Sequence, residues 1–179
     1  RKGRAEKPFA LLFPNLAAIR ESCRVTAEEE VLLQSPERPI VLLRRRGDTL
    51  APSVAPGAAF LGAMLPYAPV QHLLLDTLGI ALVATSGNRA EEPIAIDNDE
   101  AVARLAGIAD VFLVHDRAIL RPLDDSVARV VAGRELLLRR GRGYAPGRIT
   151  AATSAGILAV GGHLKATVAL SQAGGILLG

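Results

Sequence analysis

Cysteine and aromatic residues are scarce in this chain of 179 residues. Cys23 is the single cysteine, Trp is absent, and aromatic residues make up 3% of the sequence. One cysteine excludes an internal disulfide and a cysteine-rich zinc site, and it fits a reducing compartment. The core must therefore be built from Leu, Val, Ile and Ala, and we expect Cys23 to be a small buried hydrophobe rather than a nucleophile.

The sequence also lacks a long apolar run and a signal peptide, so we expect a cytoplasmic protein with no membrane partner. Half of the residues are hydrophobic and 22% are charged, which is typical of a globular fold. The formal net charge is only +3. Such a mild excess suits a phosphate-bearing small molecule as well as a nucleic acid. The chain opens on Arg rather than Met, and we expect it to be part of a longer protein.

Strand and helix signals alternate through the middle of the chain. Apolar runs predict strands at 8–13, 39–46, 60–65, 80–86 and 111–115, and two strands within 126–140 around an Ala-Gly turn. Capping signals and glycine stops predict helices at 15–23, 26–34, 68–79 and 97–107. The pattern predicts a mixed α/β sheet. Beyond a small, polar linker at 149–156, residues 157–179 read as strand, turn, strand, turn and strand.

The segment ATSGN ends the predicted strand at 80–86 and permits two interpretations. The hydroxyls of Thr85 and Ser86, with successive backbone N–H groups, could form a nest for phosphate at the carboxyl end of a buried strand. Gly87 would allow positive φ and close backbone approach. Asn88 is equally typical of a plain turn closed by its own side chain.

Three further polar clusters are ambiguous. Lys2, Arg4 and Lys7 in RKGRAEKP could bind phosphate oxygens or could be a solvated terminus. In the segment HDRAILRPLDDSVAR, paired carboxylates could hold Mg²⁺, although ion pairs with neighbouring arginines are favoured, and a structural role is favoured for the histidine. The arginines of LLLRRGRGYAPGR could contact nucleic acid or could form an exposed basic strand end.

Six segments, in order, resemble the signature blocks of one family. They are RKGRAEKPFALL, LLQSPERPIVLLRRR, LGAMLPYAPVQHLLL, VATSGNRAEEPI, FLVHDRAILRPLDDSVAR and LLRRGRGYAPGRI. Together they resemble the YrdC-like domain of HypF, the carbamoyltransferase family of nickel–iron hydrogenase maturation. GGHLKATVAL resembles the opening of that family's next domain, an ASKHA-type (actin and sugar-kinase-like) transferase.

This resemblance implies an α/β fold with a YrdC-like twisted mixed sheet and flanking helices over residues 1–148, truncated at its N-terminus. It also implies that residues 157–179, after the linker at 149–156, are the first hairpin of a truncated ASKHA-type transferase domain. The implied enzyme uses ATP and Mg²⁺ to convert carbamate, derived from carbamoyl phosphate, to carbamoyl-adenylate. In the family, the carbamoyl group then passes to the C-terminal Cys of the partner protein HypE and becomes a cyanide ligand of the hydrogenase.

The resemblance also implies a set of nucleotide-binding residues, with no catalytic residue and no metal ligand assigned. The set is Lys2, Arg4, Lys7, Thr85, Ser86, Asn88, Asp125, Ser126 and Arg139. The alternatives are a threonylcarbamoyl-adenylate synthase acting for tRNA, a non-catalytic module that binds double-stranded RNA, and an inert fragment. The HDR and DDSVAR segments favour the HypF family over the synthase.

Overall fold

The computed structural model describes residues 8–47, 49–90, 92–162 and 166–179. These residues form two compact units. One, the seven-strand unit, contains the described residues of 8–85 and 125–139. The other, the four-strand unit, contains the described residues of 86–124 and 140–179.

The seven-strand unit combines a mixed sheet with three α-helices. Its strands are β1 (Ala10–Leu12), β2 (Cys23–Arg24), β3 (Ile40–Arg45), β4 (Phe60–Met64), β5 (Leu82–Ala84), β6 (Val127–Val131) and β7 (Arg134–Arg139). Its helices are α1 (Leu16–Ser22), α2 (Ala27–Gln34) and α3 (Pro69–Leu78), with a short 3-10 turn at Pro52–Val54. The strand order is β5-β1-β4-β3-β6-β7, and β2 also pairs with β3. Parallel pairing of β1 with β4 and of β3 with β6 makes the sheet mixed, so the predicted fold class is confirmed.

Local capping signals fix the helix ends as predicted. The Asn15 side chain accepts a hydrogen bond from the Ala18 N–H and caps α1. Thr26 and Glu29 form a reciprocal capping box at α2. Gly79 ends α3 with φ 67°, a left-handed conformation that glycine adopts without strain.

The main core lies between the sheet and the helices α1 and α2. Ile19 and Leu33 contribute from the helices, and Val41, Leu43 and Leu61 contribute from the sheet, all at 1% exposure or less. On the opposite face, α3 covers part of the sheet through a smaller cluster of Leu75, Leu12 and Met64. Alternation along each strand therefore divides the sheet between two apolar clusters.

Cys23 is buried in the main core, as the sequence predicts for a small hydrophobe. Burial, reinforced by the negative charge of Glu29, raises the pKa of the Cys23 thiol to about 11. Because the thiolate is the nucleophile, we expect Cys23 to resist thiol reagents at pH 8 in the native protein and to react quickly once unfolded.

The raised pKa also predicts a pH dependence of stability. The neutral thiol is favoured in the folded state, so its contribution should be complete below pH 9 and should fall as the pH rises towards 11. Denaturant unfolding of the parent protein and of Cys23→Ala across pH 8–11 measures this effect. Equal losses of stability in the two proteins over that range would contradict it.

The four-strand unit contains the helix α4 (Asn98–Leu105) and an antiparallel sheet. Its strands are β8 (Gly147–Ile149), β9 (Leu158–Ala159), β10 (Ala169–Gln172) and β11 (Gly175–Leu178), in the order β8-β11-β10-β9. The three strands predicted beyond residue 157 are thus present. The proposed domain boundaries stay a prediction. The predicted boundary between the first domain and the linker, after residue 148, falls within β8.

Two strand predictions are wrong. Residues 111–115 form no strand, and Val111 and Leu113 are more than 80% exposed. The strand predicted at 80–86 is limited to β5, which is an edge strand antiparallel to β1, and its Val83 is half exposed. Both segments are apolar enough to resemble buried strands, but an apolar run does not by itself provide a pairing partner or a covering layer.

Candidate functional site

The ATSGN segment forms a loop closed by its own asparagine. The Asn88 side chain is buried, at 7% exposure. Its Oδ1 accepts a hydrogen bond of 2.6 Å from the Ser86 hydroxyl, and its Nδ2 donates one of 2.6 Å to the carbonyl of Glu92. The amide therefore joins the two sides of the loop and fixes its shape.

Gly87 lies at the tip of this loop and contributes through its backbone. Its carbonyl accepts a hydrogen bond of 3.0 Å from the N–H of Ala95. Gly87 does not adopt the positive φ that a glycine allows, and a Cβ placed there would meet Leu105 only at 3.9 Å. Within the described part of the chain, neither backbone strain nor crowding requires a glycine at this position.

Arg104 clamps the residues that follow the loop to α4. Its Nη2 lies 2.7 Å from the Glu92 carboxylate and donates at 3.0 Å to the carbonyl of Pro93. Its Nη1 pairs with Glu100, four residues earlier on the helix. The hydrogen bonds that Arg104 donates to the carboxylates of Glu92 and Glu100 raise its pKa, with Glu92 as the larger cause, and so favour the charged guanidinium. Only the spacing of Glu100 and Arg104 could have indicated this clamp from sequence.

A second group of candidate residues lies where the chain enters β6. Ser126 is fully buried, and its carbonyl accepts a hydrogen bond of 2.8 Å from the Ile40 N–H. Arg139 pairs with Val127 across the β6–β7 hairpin, and its Nη1 lies 3.5 Å from the Asp125 carbonyl. The structure thus brings Asp125, Ser126 and Arg139 together.

Three further candidates, Thr85, Ser86 and Asn88, belong to other elements of the described chain. Thr85 directly follows β5, at one edge of the seven-stranded sheet, whereas Arg139 belongs to β7 at the other edge. Lys2, Arg4 and Lys7 lie outside the described residues. Ser86 and Asn88 belong to the four-strand unit. A nucleotide-binding role for this set stays a prediction.

The acidic and histidine-containing segment before β6 is largely exposed. The carbonyl of His115 accepts a hydrogen bond of 2.8 Å from Asn98, and the carbonyl of Asp124 accepts one of 2.9 Å from the Arg142 N–H. Within the part of the chain that the structure describes, no group of three or more His, Cys, Asp or Glu side chains could hold a metal. Use of Mg²⁺ stays a prediction, since Mg²⁺ commonly binds through only one or two carboxylates together with substrate phosphates.

Among the described residues, no helix is both long enough and apolar enough to cross a membrane.

Comparisons with known proteins add to this geometry. A family model named for Sua5, YciO and YrdC, and described as telomere recombination, matches residues 1–141. Carbamoyltransferase HypF of Synechocystis sp. is 50% identical over 175 residues, which cover 96% of this chain and 23% of the relative. The chain therefore spans about a quarter of the length of such relatives.

Solved structures of HypF and Sua5 are also similar to this chain. A crystal structure of full-length HypF, in a phosphate- and nucleotide-bound form, is 42% identical, with a TM-score of 0.93, and the match covers 99% of this chain and 28% of that one. Sua5 of P. abyssi, complexed with L-threonine, is 16% identical, with a TM-score of 0.64, and the match covers 78% of this chain and 42% of Sua5. At that identity, Sua5 indicates a shared fold alone. The chain belongs to the Sua5/YciO/YrdC family, and its predicted resemblance to the HypF carbamoyltransferases is confirmed.

Proposed function

We propose that this chain catalyses the ATP-dependent formation of carbamoyl-adenylate within a larger carbamoyltransferase. The observation that carries the proposal is the match to HypF over almost the whole chain, including a HypF structure solved with phosphate and nucleotide. Carbamate, derived from carbamoyl phosphate, and ATP with Mg²⁺ are the proposed substrates. In the whole protein, the carbamoyl group would pass to the C-terminal Cys of HypE for cyanide ligand synthesis.

The reaction transfers an adenylyl group. A carbamate oxygen attacks the α-phosphorus of ATP, the bond from that phosphorus to the bridging oxygen breaks, and pyrophosphate leaves with both bonding electrons. Negative charge spreads over the phosphate oxygens during this step, so the protein must position both reactants and supply hydrogen-bond donors and positive charge.

The loop of residues 85–88 is suited to the phosphates. Thr85 and Ser86 provide hydroxyl groups, and Asn88 holds the loop in one conformation through its buried amide. The open position around Gly87 allows a phosphate to approach the backbone closely. The fold does not require a glycine at position 87, and a role in ligand binding would explain one. Gly87 therefore supports the ligand-loop interpretation over the plain turn.

Positive charge would come from the basic block and from β7. Lys2, Arg4 and Lys7 are proposed to contact the triphosphate, as implied by the family's basic block. Arg139 is proposed to lie beside the nucleotide, together with Asp125 and Ser126. These two residues directly precede β6, the strand that pairs with β7.

Exchange of labelled pyrophosphate into ATP tests this proposal in the full-length protein. We expect exchange that requires both Mg²⁺ and carbamoyl phosphate. Exchange that instead requires L-threonine and bicarbonate would favour a threonylcarbamoyl-adenylate synthase. RNA binding with steep salt dependence, and no exchange, would favour the non-catalytic RNA module.

Two variants probe the proposed phosphate contacts. Ser86→Ala removes a hydroxyl, and Lys7→Ala removes a charge, and each should cost about 1–3 kcal/mol of binding or transition-state free energy. The Lys7→Ala loss should be partly masked at high salt. Thr77→Ala, at an exposed hydroxyl on α3, is the matched control and should keep full activity.

Melting temperatures separate a lost contact from a lost fold. Neither Ser86→Ala nor Lys7→Ala should unfold the protein, because Ser86 is in neither described core cluster and Lys7→Ala replaces a charged side chain rather than an apolar one. Full exchange activity in both variants would remove these residues from the site. Lost activity with a collapsed melting transition would restore the plain-turn interpretation.

A further inference from the structure

On one face of the sheet of the seven-strand unit, two arginines and a phenylalanine lie side by side in a row across neighbouring strands. Arg24 lies opposite Arg44 in the β2–β3 pair, and Arg44 lies opposite Phe60 in the β3–β4 pair. The adjacent residues Cys23 and Leu43 are buried in the main core. Because side chains alternate along a strand, the row occupies the face opposite to that core.

A third arginine reaches this row from the neighbouring strand. The guanidinium carbon of Arg129 lies 4.0 Å from the centroid of the Phe60 ring. Arg129 follows the fully buried Ala128 and is therefore on the same face as the row. Stacking holds the guanidinium over the ring and leaves its N–H edge available for an anion. Arg24, Arg44 and Arg129 together form the arginine cluster.

The charges of the arginine cluster repel one another. Like charges directly opposite on paired strands are unfavourable, and Arg24 and Arg44 are such a pair. The ion pairs found among the described residues involve Arg20 and Arg104, and none involves the cluster. An anion bound between these guanidinium groups would offset the repulsion.

The strand register places the cluster at the end of the sheet where Thr85 lies. Ala84 of β5 pairs with Ala10 of β1, which pairs with Gly62 of β4. Because β5 runs antiparallel to β1 and β4, the step from Ala84 to Thr85 leads towards the end of the sheet where β4 begins. Phe60 is the first residue of β4, two residues before Gly62. Thr85 and Phe60 therefore approach the same end of the sheet, with only β1 between their strands.

We infer that the arginine cluster binds the diphosphate part of ATP, which leaves as pyrophosphate. This assignment rests on the proposed adenylation for the identity of the anion. Guanidinium groups bind phosphate oxygens through paired N–H donors, and several of them suit a multiply charged diphosphate. RNA fits this surface less well, because one face of the Phe60 ring is already covered by Arg129 and cannot stack on a base.

Calorimetric titration of the full-length protein with inorganic pyrophosphate tests the inference. Arg44→Gln and Arg129→Gln should each weaken pyrophosphate binding about tenfold, the loss expected for one charged hydrogen-bonding partner. Phe60→Leu should weaken it less than Arg129→Gln, because the guanidinium loses its support but not its charge. Arg121→Gln, at an exposed arginine outside the cluster, makes the same charge change and should leave the affinity unaltered.

The outcomes separate this inference from the proposed function. If folded Arg44→Gln and Arg129→Gln bind pyrophosphate as tightly as the parent protein, the arginine cluster is not the diphosphate site, even if the parent protein catalyses exchange. Arginine-dependent pyrophosphate binding without exchange would leave the cluster standing and overturn adenylation. Melting temperatures confirm folding, and Arg24→Gln replaces any variant that does not fold.

Two further titrations identify the source of the phosphate. If the cluster variants weaken only carbamoyl phosphate binding, the cluster serves that substrate and the diphosphate assignment is wrong. Binding of a short RNA duplex that requires the same arginines and is not displaced by pyrophosphate would also overturn the diphosphate assignment.

Discussion

The Asn88→Ala variant should lose about a hundredfold in the rate of carbamoyl-phosphate-dependent exchange, since misplacement of positioning groups by about 1 Å can cost that much. The variant removes both hydrogen bonds of 2.6 Å that close the loop, one from Ser86 and one to Glu92. The Ser86 hydroxyl is then no longer oriented, and the buried site of the amide is left empty. The measurement is the exchange rate of the full-length protein at saturating ATP.

Asn98→Ala is the matched control for this result. Asn98 is also in the four-strand unit, and its side chain donates a hydrogen bond of 2.8 Å to the carbonyl of His115, but this contact is exposed and is not part of the loop. We expect its exchange rate to stay within about twofold of the parent rate, because an exposed hydrogen bond contributes little net free energy. Equal losses in Asn88→Ala and Asn98→Ala would show that the loop has no special role.

Gly87→Ala then separates a ligand loop from a structural turn. The fold should tolerate the added methyl group, since the nearest atom is 3.9 Å away and φ is not left-handed. If a phosphate approaches the backbone there, the variant should keep its melting temperature and lose exchange activity. A normal melt with normal exchange would mean that nothing binds against Gly87.

Local signals in the sequence predicted much of the fold because their physics is local. Caps at Asn15 and Thr26 and the stop at Gly79 involve contacts within four residues. The β6–β7 hairpin follows from Ala132 and Gly133, which adopt φ values of 50° and 73°. Such features depend little on the rest of the chain, so the sequence alone identifies them.

The errors come from features that depend on distant residues. The apolar segment at 111–115 resembles a strand in composition, but its side chains are exposed and no described strand pairs with it. The strand before Thr85 is an edge strand antiparallel to β1, so the argument from the carboxyl ends of parallel strands does not apply to it. Sequence periodicity contains no information about which edge a strand will occupy.

The site shows the same division between local and distant contacts. The Ser86–Asn88 hydrogen bond spans two residues and is a feature that the sequence indicated. The clamp from Arg104 to Glu92 and the stacking of Arg129 on Phe60 join residues that are far apart in sequence. Only the helix packing and the strand register bring these groups together.

The Leu43→Ala variant should lose about 2–5 kcal/mol in free energy of unfolding, the usual cost of a cavity in a packed core. Leu43 has no exposed surface and lies on β3, between β4 and β6, in the same cluster as Cys23. Labelling of the Cys23 thiol reports opening of that core, so its rate at pH 8 should rise about thirtyfold or more, which corresponds to 2 kcal/mol. Val83→Ala removes a half-exposed side chain from the edge strand β5. In this variant, the Cys23 thiol should be labelled at nearly the parent rate. If Leu43→Ala labels no faster than Val83→Ala, then Leu43 and Cys23 do not share one cooperative core.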